Sequence, residues 1–440
     1  MVHKKPAVTA KVLQALLIRI GSASSGTKST LLARFQRKIQ QPGVFHRPSE
    51  GGKQPRKPWN RKLRVMSIDM GIKNLAFCDA EVTYSATESA SEPNLGATMN
   101  ILRWKKIDLV GSAYNNKGHL LPEKGQEVME STEDDADPYS PSVLSKTAHR
   151  LITEEVLSTS PDIILIEKQR WRSGGGSAVQ QWTVRVNTLE AMLWAILETL
   201  KAAPPHQGTN AAKPKHDYNV YAIDPKRVGQ YWLSGHARAL RERRNEATPA
   251  PNASTPQSPP SQDKSRDKAR TTTRPNKKQP SRARAEKAAK INILRSWLSP
   301  PTMSTEPSTP SLTPRIGLAI SPAAQPTLDA LLPPCSQSTA PPLRRQRKRT
   351  TKTEETERPA TAGEAEEAQL ADVVPAAAER KKLDDVTDCF LQAAAWVAWE
   401  VNRVQLRAVG DRGALESSSG EVRVGDEDWI VRAVEGVGEV

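Results

Sequence analysis

The sequence predicts an α/β layer fold built around a mixed sheet, and three observations carry that prediction. Pro161–Glu167 contains Ile163-Ile164-Leu165-Ile166, an uninterrupted apolar run of the kind that forms a strand buried on both faces. Short strand-like segments at Arg64–Asp69, Leu75–Val82 and Asn100–Leu109 precede it at a spacing that suits a meander. Helical patterns then surround a further short strand at Asn219–Ile223, and strands leading into helices in this order build a layered α/β domain.

The elements follow in chain order. Leu13, Leu16, Leu17 and Ile20 repeat at i, i+3, i+4, i+7, and Leu31, Leu32, Phe35 and Ile39 form a second stripe. Residues 11–39 therefore read as a small two-helix module, its turn ending in good N-cap residues before Lys28. The polar stretch 40–62 reads as a linker. Residues 63–237 carry the first part of the core, with helices at Ser142–Leu157 and Gln180–Leu200 among the strands. From 238 to 282 the chain turns Arg/Lys/Pro/Ser/Thr-rich and loses apolar periodicity, which predicts a disordered basic insertion. A core helix over 283–298 follows, through Ile291, Leu294 and Trp297. Residues 299–380 read as a disordered low-complexity insertion, 381–405 as a final core helix, and 406–440 as a tail with no strong signal. Trp182, Trp194, Trp396 and Trp399 lie on helical faces and are expected in the core rather than as base-stacking wedges; Cys78 and Cys389 are expected in the core as well.

Composition narrows the function classes. The chain of 440 residues has 64 Lys and Arg against 49 Asp and Glu, a formal net charge of +15 that draws it to polyanions, nucleic acid above all. Three cysteines are too few for a disulfide framework and too scattered for a zinc site, so a reducing compartment is expected. No apolar run is long enough to span a membrane. The first acidic residue is Glu50, preceded by Lys4, Lys5, Lys11, Arg19, Lys28, Arg34, Arg37 and Lys38; such an acid-free start is similar to a mitochondrial transit peptide.

The chemistry rests on carboxylates. Asp69 ends the first strand, Glu167 ends the buried one, and Asp384, Asp385 and Asp388 open the last helix, with Asp388 three and four positions beyond the pair on one helical face. Two carboxylates about 5 Å apart repel by about 3 kcal/mol at an effective dielectric near 20. Such a cluster either keeps protons or takes up divalent cations, and oxygen ligands without Cys or His favour magnesium or manganese. Singly, each acid has an ordinary reading as turn former, cap or helix-opening charge; together they are far more specific.

At these residues a family resemblance emerges. Ser67-Ile68-Asp69-Met70-Gly71-Ile72-Lys73-Asn74-Leu75-Ala76 resembles the first-strand motif of RuvC-like nucleases. Ile164-Leu165-Ile166-Glu167-Lys168-Gln169-Arg170, followed by Arg172-Ser173-Gly174-Gly175-Gly176, is similar to the fungal mitochondrial Holliday-junction resolvases. So is Arg185-Val186-Asn187-Thr188-Leu189-Glu190, and Lys382-Leu383-Asp384-Asp385-Val386-Thr387-Asp388-Cys389 resembles their closing acidic helix. Ser25-Gly26-Thr27-Lys28 between two helices is similar to a SAP-type DNA-binding module.

The resemblance implies a ribonuclease H-like fold with a mixed five-stranded sheet. It implies Asp69, Glu167, Asp385 and Asp388 as catalytic metal ligands for Mg2+, with Mn2+ as a substitute, and leaves Asp384 as the alternative third acid. It also implies four-way junction DNA as substrate, a homodimer, a mitochondrial location and hydrolysis leaving a 5′-phosphate. Lys28, Lys73, Arg170, Arg172, Lys226 and Arg227 are the candidate DNA contacts. Arg170 and Arg172 flank a glycine run that would let backbone approach a phosphate, although an N-cap at Asp224 accounts nearly as well for Lys226 and Arg227. The competing class is a non-catalytic junction-binding protein organising mitochondrial DNA, expected to have lost an acid. An actin-like ATPase would need a second Gly-rich phosphate loop that the sequence lacks.

Overall fold

The computed structural model describes residues 8–41, 62–87, 94–111, 137–169, 181–202, 217–234, 282–299, 316–332, 383–415 and 425–435. At its centre lies β1 (Leu63–Asp69), paired antiparallel with β2 (Leu75–Thr87), which pairs antiparallel with β3 (Asn94–Ile107). On the other side of β1 lies β4 (Ile163–Glu167) and beyond it β5 (Asn219–Ile223), both parallel. The order β5-β4-β1-β2-β3, with parallel and antiparallel pairs, is a mixed sheet of the kind that the sequence predicts.

Strand parity divides the core into two layers. Leu63, Val65, Ile163 and Leu165 face one way, while Met66, Ile68, Ile164 and Ile166 face the other. The second face is covered by α3 (Pro141–Arg150), whose π turn at Leu151–Val156 continues the helix, and by α4 (Gln181–Ala202). The first is covered by α5 (225–234), α6 (Arg282–Leu298) and α8 (Leu383–Leu415), the last numbered after α7 (Gln325–Leu331). Helix α8 is buried nearly all round from Val386 to Val401, and Ala393, Ala394, Ala395 and Ala398 let it lie close on the sheet. One buried charge is fully matched: Asp79 accepts two hydrogen bonds from Arg64 at 3.0 and 2.9 Å and one from Arg103 at 3.0 Å.

Two expectations are corrected. The sheet has six strands, because β6 (Ile316–Ile320) pairs parallel with β3, and after a short turn α7 follows it into the core. Both lie inside the 299–380 stretch expected to be mostly disordered. Five apolar-alternating residues among prolines and serines give too short a period to stand out, and β6 becomes a strand by completing the open edge of β3.

The expected tail is also structured: α8 runs to Leu415, and α9 (Glu427–Glu435) follows. Together they close a lobe with α1 (Ala10–Arg19) and α2 (Lys28–Gln40), in which Leu13, Leu17, Leu31, Phe35 and Ile39 pack with Leu406, Trp429 and Ile430. The 11–39 module is thus one half of a lobe completed by the C-terminal residues. Gly21, at φ 68°, sits so close under Trp399 that a Cβ there would lie 2.1 Å from the indole. Asn402 donates to the Arg19 carbonyl at 2.9 Å, and Gln36 to the Gly425 carbonyl at 3.0 Å. Arg34 donates to the carbonyls of Ala23 and Ser25, so this N-terminal basic residue serves the lobe. Lys4 and Lys5, the 238–281 insertion and most of 299–380 lie outside the described residues. Among the described residues no helix is long and apolar enough to cross a membrane.

Candidate active site

Because side chains alternate along a strand, Asp69 shares the face of Leu63, Val65 and Ser67, and Glu167 shares that of Ile163 and Leu165. Both carboxylates therefore point toward the α8 layer from adjacent parallel strands. Met70 N–H donates to Glu167 Oε2 at 3.4 Å and Gln169 Nε2 to the same oxygen at 3.3 Å, fixing that carboxylate at the strand end.

Helix α8 brings its acids to the same place, and two residues set its phase. Ser67 Oγ donates to the Cys389 carbonyl at 2.8 Å. Gln392, one turn after Asp388, donates to Ser67 Oγ at 3.1 Å and reaches the carbonyls of Ile68 and Leu165 at 3.2 and 3.4 Å. A buried glutamine locked to β1 and β4 fixes the face on which Asp385 and Asp388 stand.

The electrostatics follow from this crowding. Burial, a hydrogen bond with Glu167, and the charges of Glu167, Asp388 and Asp385 hold the Asp69 carboxyl well above the usual carboxylate range. Burial and the neighbouring Asp384 push Asp385 up to about 6, against the pull of Lys106 and Lys287. Burial also raises Asp388, while Lys290 opposes it. Lys290 comes from α6, lies buried, and donates to Asp388 Oδ1 at 2.9 Å; Lys287, one turn earlier, pairs with Asp384. Cations thus already stand against the outer acids. Among the described residues no three Asp, Glu, His or Cys side chains stand close enough to make a ready-made cation cage.

Of the two alternatives for the third acid, Asp385 acts electrostatically on Asp69, and Asp384 is turned to Lys287. Lys73 is exposed on the turn between β1 and β2, directly after Asp69. Lys226 is exposed at the start of α5, where its N–H bonds Asp224 Oδ1 at 2.9 Å, so the N-cap reading of this motif holds. Arg227 reaches the Gly21 carbonyl at 3.4 Å, joining the core to the lobe, and Lys28 pairs with Glu427 of α9 at 3.0 Å. Arg170, Arg172 and the glycine run lie outside the described residues. Cys78, Cys389, Trp396 and Trp399 are buried and Trp194 packs against the core, as expected. Trp182 departs from expectation: near the start of α4, it is 43% exposed.

Sequence reasoning missed Lys287, Lys290 and Gln392. The first two carry no local signal that sets them apart from the other lysines, and the signal for Gln392 is a polar side chain inside an otherwise apolar stretch of helix, one turn beyond Asp388.

Over 172 residues the chain is 29% identical to the mitochondrial cruciform cutting endonuclease 1 of Schizosaccharomyces pombe, covering 39% of this chain and 53% of the relative. It is 27% identical over 173 residues to the protein of the same name from Saccharomyces cerevisiae, covering 39% and 40%. The chain therefore spans about half the length of the curated relatives it matches, or less. The crystal structure of the yeast mitochondrial Holliday junction resolvase Ydc2 superposes with a TM-score of 0.41 at 17% identity, over 91% of this chain and 95% of that one. The family model described as mitochondrial resolvase Ydc2 / RNA splicing MRS1 matches residues 65–406, a span running from β1 through the lobe-forming part of α8, and the chain belongs to that family.

Proposed function

We propose that this chain is a divalent-cation-dependent endonuclease that cuts four-way DNA junctions in mitochondria. The observation that carries the proposal is the meeting, at one end of the sheet, of Asp69 and Glu167 with the Asp385 and Asp388 face of α8, where burial and the neighbouring carboxylates raise Asp69 and Asp385 above the usual carboxylate range. Relatives named as mitochondrial cruciform cutting endonucleases support both the substrate and the location. The net charge of +15 supports a polyanionic substrate.

The residues present fit a hard divalent cation. The donors are all carboxylate oxygens, they repel one another, and the ammonium of Lys290 already rests on one of them. Asp69, Glu167, Asp385 and Asp388 would hold Mg2+, or Mn2+ in its place. When bound, such an ion supplies a more acidic water and charge neutralisation for the leaving oxygen of a phosphodiester.

The chain's own residues do the positioning. Met70 N–H and Gln169 orient Glu167, Gln392 and Ser67 hold the helix phase, and Lys287 keeps Asp384 turned aside. Lys290 favours the ionised form of Asp388, which ligation requires. Lys73 and Lys226 are exposed cations suited to phosphate contacts; Arg170 and Arg172 are proposed for the same task, with Arg227 of the core and Lys28 of the lobe as further contacts. Cutting two strands symmetrically with one site per chain calls for a two-fold homodimer.

A second reading is a non-catalytic junction-binding protein, and the family's description also includes RNA splicing. All four acids are retained, which favours the nuclease. The test is cleavage of a synthetic four-way junction in magnesium by the parent and by Asp69→Asn, with linear duplex as control. Paired nicks with 5′-phosphate ends on the junction alone, lost in Asp69→Asn while binding persists, are expected. Tight junction binding without cutting in magnesium or manganese would favour the architectural reading.

A further inference from the structure

Helix α4 lies on the sheet through Val186, Leu189, Leu193 and Leu197, and its height is fixed where Gln169 N–H donates to Glu190 Oε2 at 3.1 Å. Gln169 is two residues past Glu167, so Glu190 stands level with the end of the sheet that bears the acids. Trp182 is eight residues earlier on the helix, about 12 Å along its axis at 1.5 Å per residue. Because a helix following a parallel strand runs back along it, the first turns of α4 extend past the acid-bearing end of the sheet, on the face opposite α8.

This extension carries a built aromatic surface. Trp182 and Val184 are 43% and 44% exposed. The Trp182 indole meets the Tyr139 ring edge-on, centroids 5.7 Å apart at 73°. The Arg185 guanidinium lies 4.0 Å over the Tyr139 ring and reaches Asp137 Oδ2 at 3.6 Å, while Asp137 Oδ1 accepts from Tyr139 N–H at 3.0 Å. Tyr139 is thus gripped by a cation, an indole and its own turn. Such rigidity lowers the entropy lost when a flat partner is added.

We propose that Trp182, supported by Tyr139 and Arg185, is a stacking platform for a nucleobase at the branch point of the substrate DNA; this rests on the junction-cutting reading above. A linear duplex offers no free base face, whereas strands exchanging at a branch expose one. Stacking on an aromatic ring tolerates any base, which suits recognition of a branch rather than a sequence. The neighbouring guanidinium suits the adjoining phosphate. A second copy of the chain is the weaker occupant. The indole offers roughly 100 Å2 of an aromatic side chain's 150–250 Å2, against about 800 Å2 per partner in a stable protein interface.

The test uses the full chain carrying Asp69→Asn, a junction with 2-aminopurine at the branch point, and a linear duplex of the same sequence. Binding is expected to change the branch-point fluorescence. Trp182→Ala should abolish that change and weaken junction binding roughly tenfold while leaving duplex binding alone, and Trp182→Phe should restore most of both. Unchanged junction affinity and fluorescence in Trp182→Ala would overturn the platform while leaving the nuclease reading intact. Conversion of a dimer to a monomer by Trp182→Ala, seen by light scattering, would overturn it in favour of a subunit contact. A parent that neither prefers junctions nor cuts them would overturn the nuclease reading first, and the platform with it.

Discussion

Replacing Asp385 by Asn isolates the cost of crowding acids at the end of the sheet. Burial and Asp384 push the Asp385 carboxyl up to about 6. A rise of about two units corresponds to ~3 kcal/mol, and screening by the water that this half-buried side chain still meets reduces it to about 1–2 kcal/mol. The folded carboxyl holds its proton more tightly than the unfolded one. Between about pH 4 and pH 6 the folded state therefore binds more protons, and stability falls as pH rises through that window. Asparagine has no proton to lose. The stability advantage of Asp385→Asn over the parent should be small near pH 4 and grow to about 1–2 kcal/mol near pH 7, or about 2–8 °C in Tm at the 2–4 °C per kcal/mol of a domain this size. The assay is urea and thermal unfolding of both proteins in chelator across that range. A variant no more stable than the parent near pH 7, or an advantage independent of pH, would refute the reasoning.

Three further outcomes follow from the packing. Gln392→Leu removes the donor to Ser67 Oγ, Ile68 O and Leu165 O, and should cost about 1–3 kcal/mol in denaturation and slow junction nicking, because α8 loses its phase. Trp429→Ala empties a fully buried site against Phe35 and should cost about 3–5 kcal/mol, read as lost amide-exchange protection in α1 and α2 while β1 and β4 stay protected. Gly21→Ala places a Cβ 2.1 Å from the Trp399 indole at φ 68°, and a drop of several degrees in Tm by thermal denaturation is expected, at least ~1 kcal/mol from the backbone alone.

The parts of this molecule legible in its sequence are those whose signal is local. β4 could be read because four apolar residues in a row fit a strand covered on both faces, and Glu167 because it ends that run. Asp385 and Asp388 could be read because residues three apart on a helix share a face. Lys287 and Lys290 could not, since their meaning depends on α6 crossing to the start of α8 from nearly a hundred residues away. β6 and α9 were hidden for a related reason: each is short, and becomes regular only against a partner, the edge of β3 for one and the α1–α2 pair for the other. Trp182 shows the limit from the opposite side. Helical periodicity places it on a face, but its partial exposure depends on what packs around the start of α4, which periodicity does not show.

The central claim is that the acids of β1, β4 and α8 form a divalent-cation site, and the most direct measurement is thermal unfolding of the parent and Asp69→Asn with and without magnesium. At tenfold excess over its dissociation constant, a ligand confined to the folded state stabilises by about 1.4 kcal/mol, or about 3–5 °C here. The account predicts that rise in the parent and its absence in Asp69→Asn, whose metal-free form is the more stable of the two because one repelling carboxylate is gone. No magnesium effect on the parent, or an equal effect on both proteins, would contradict it.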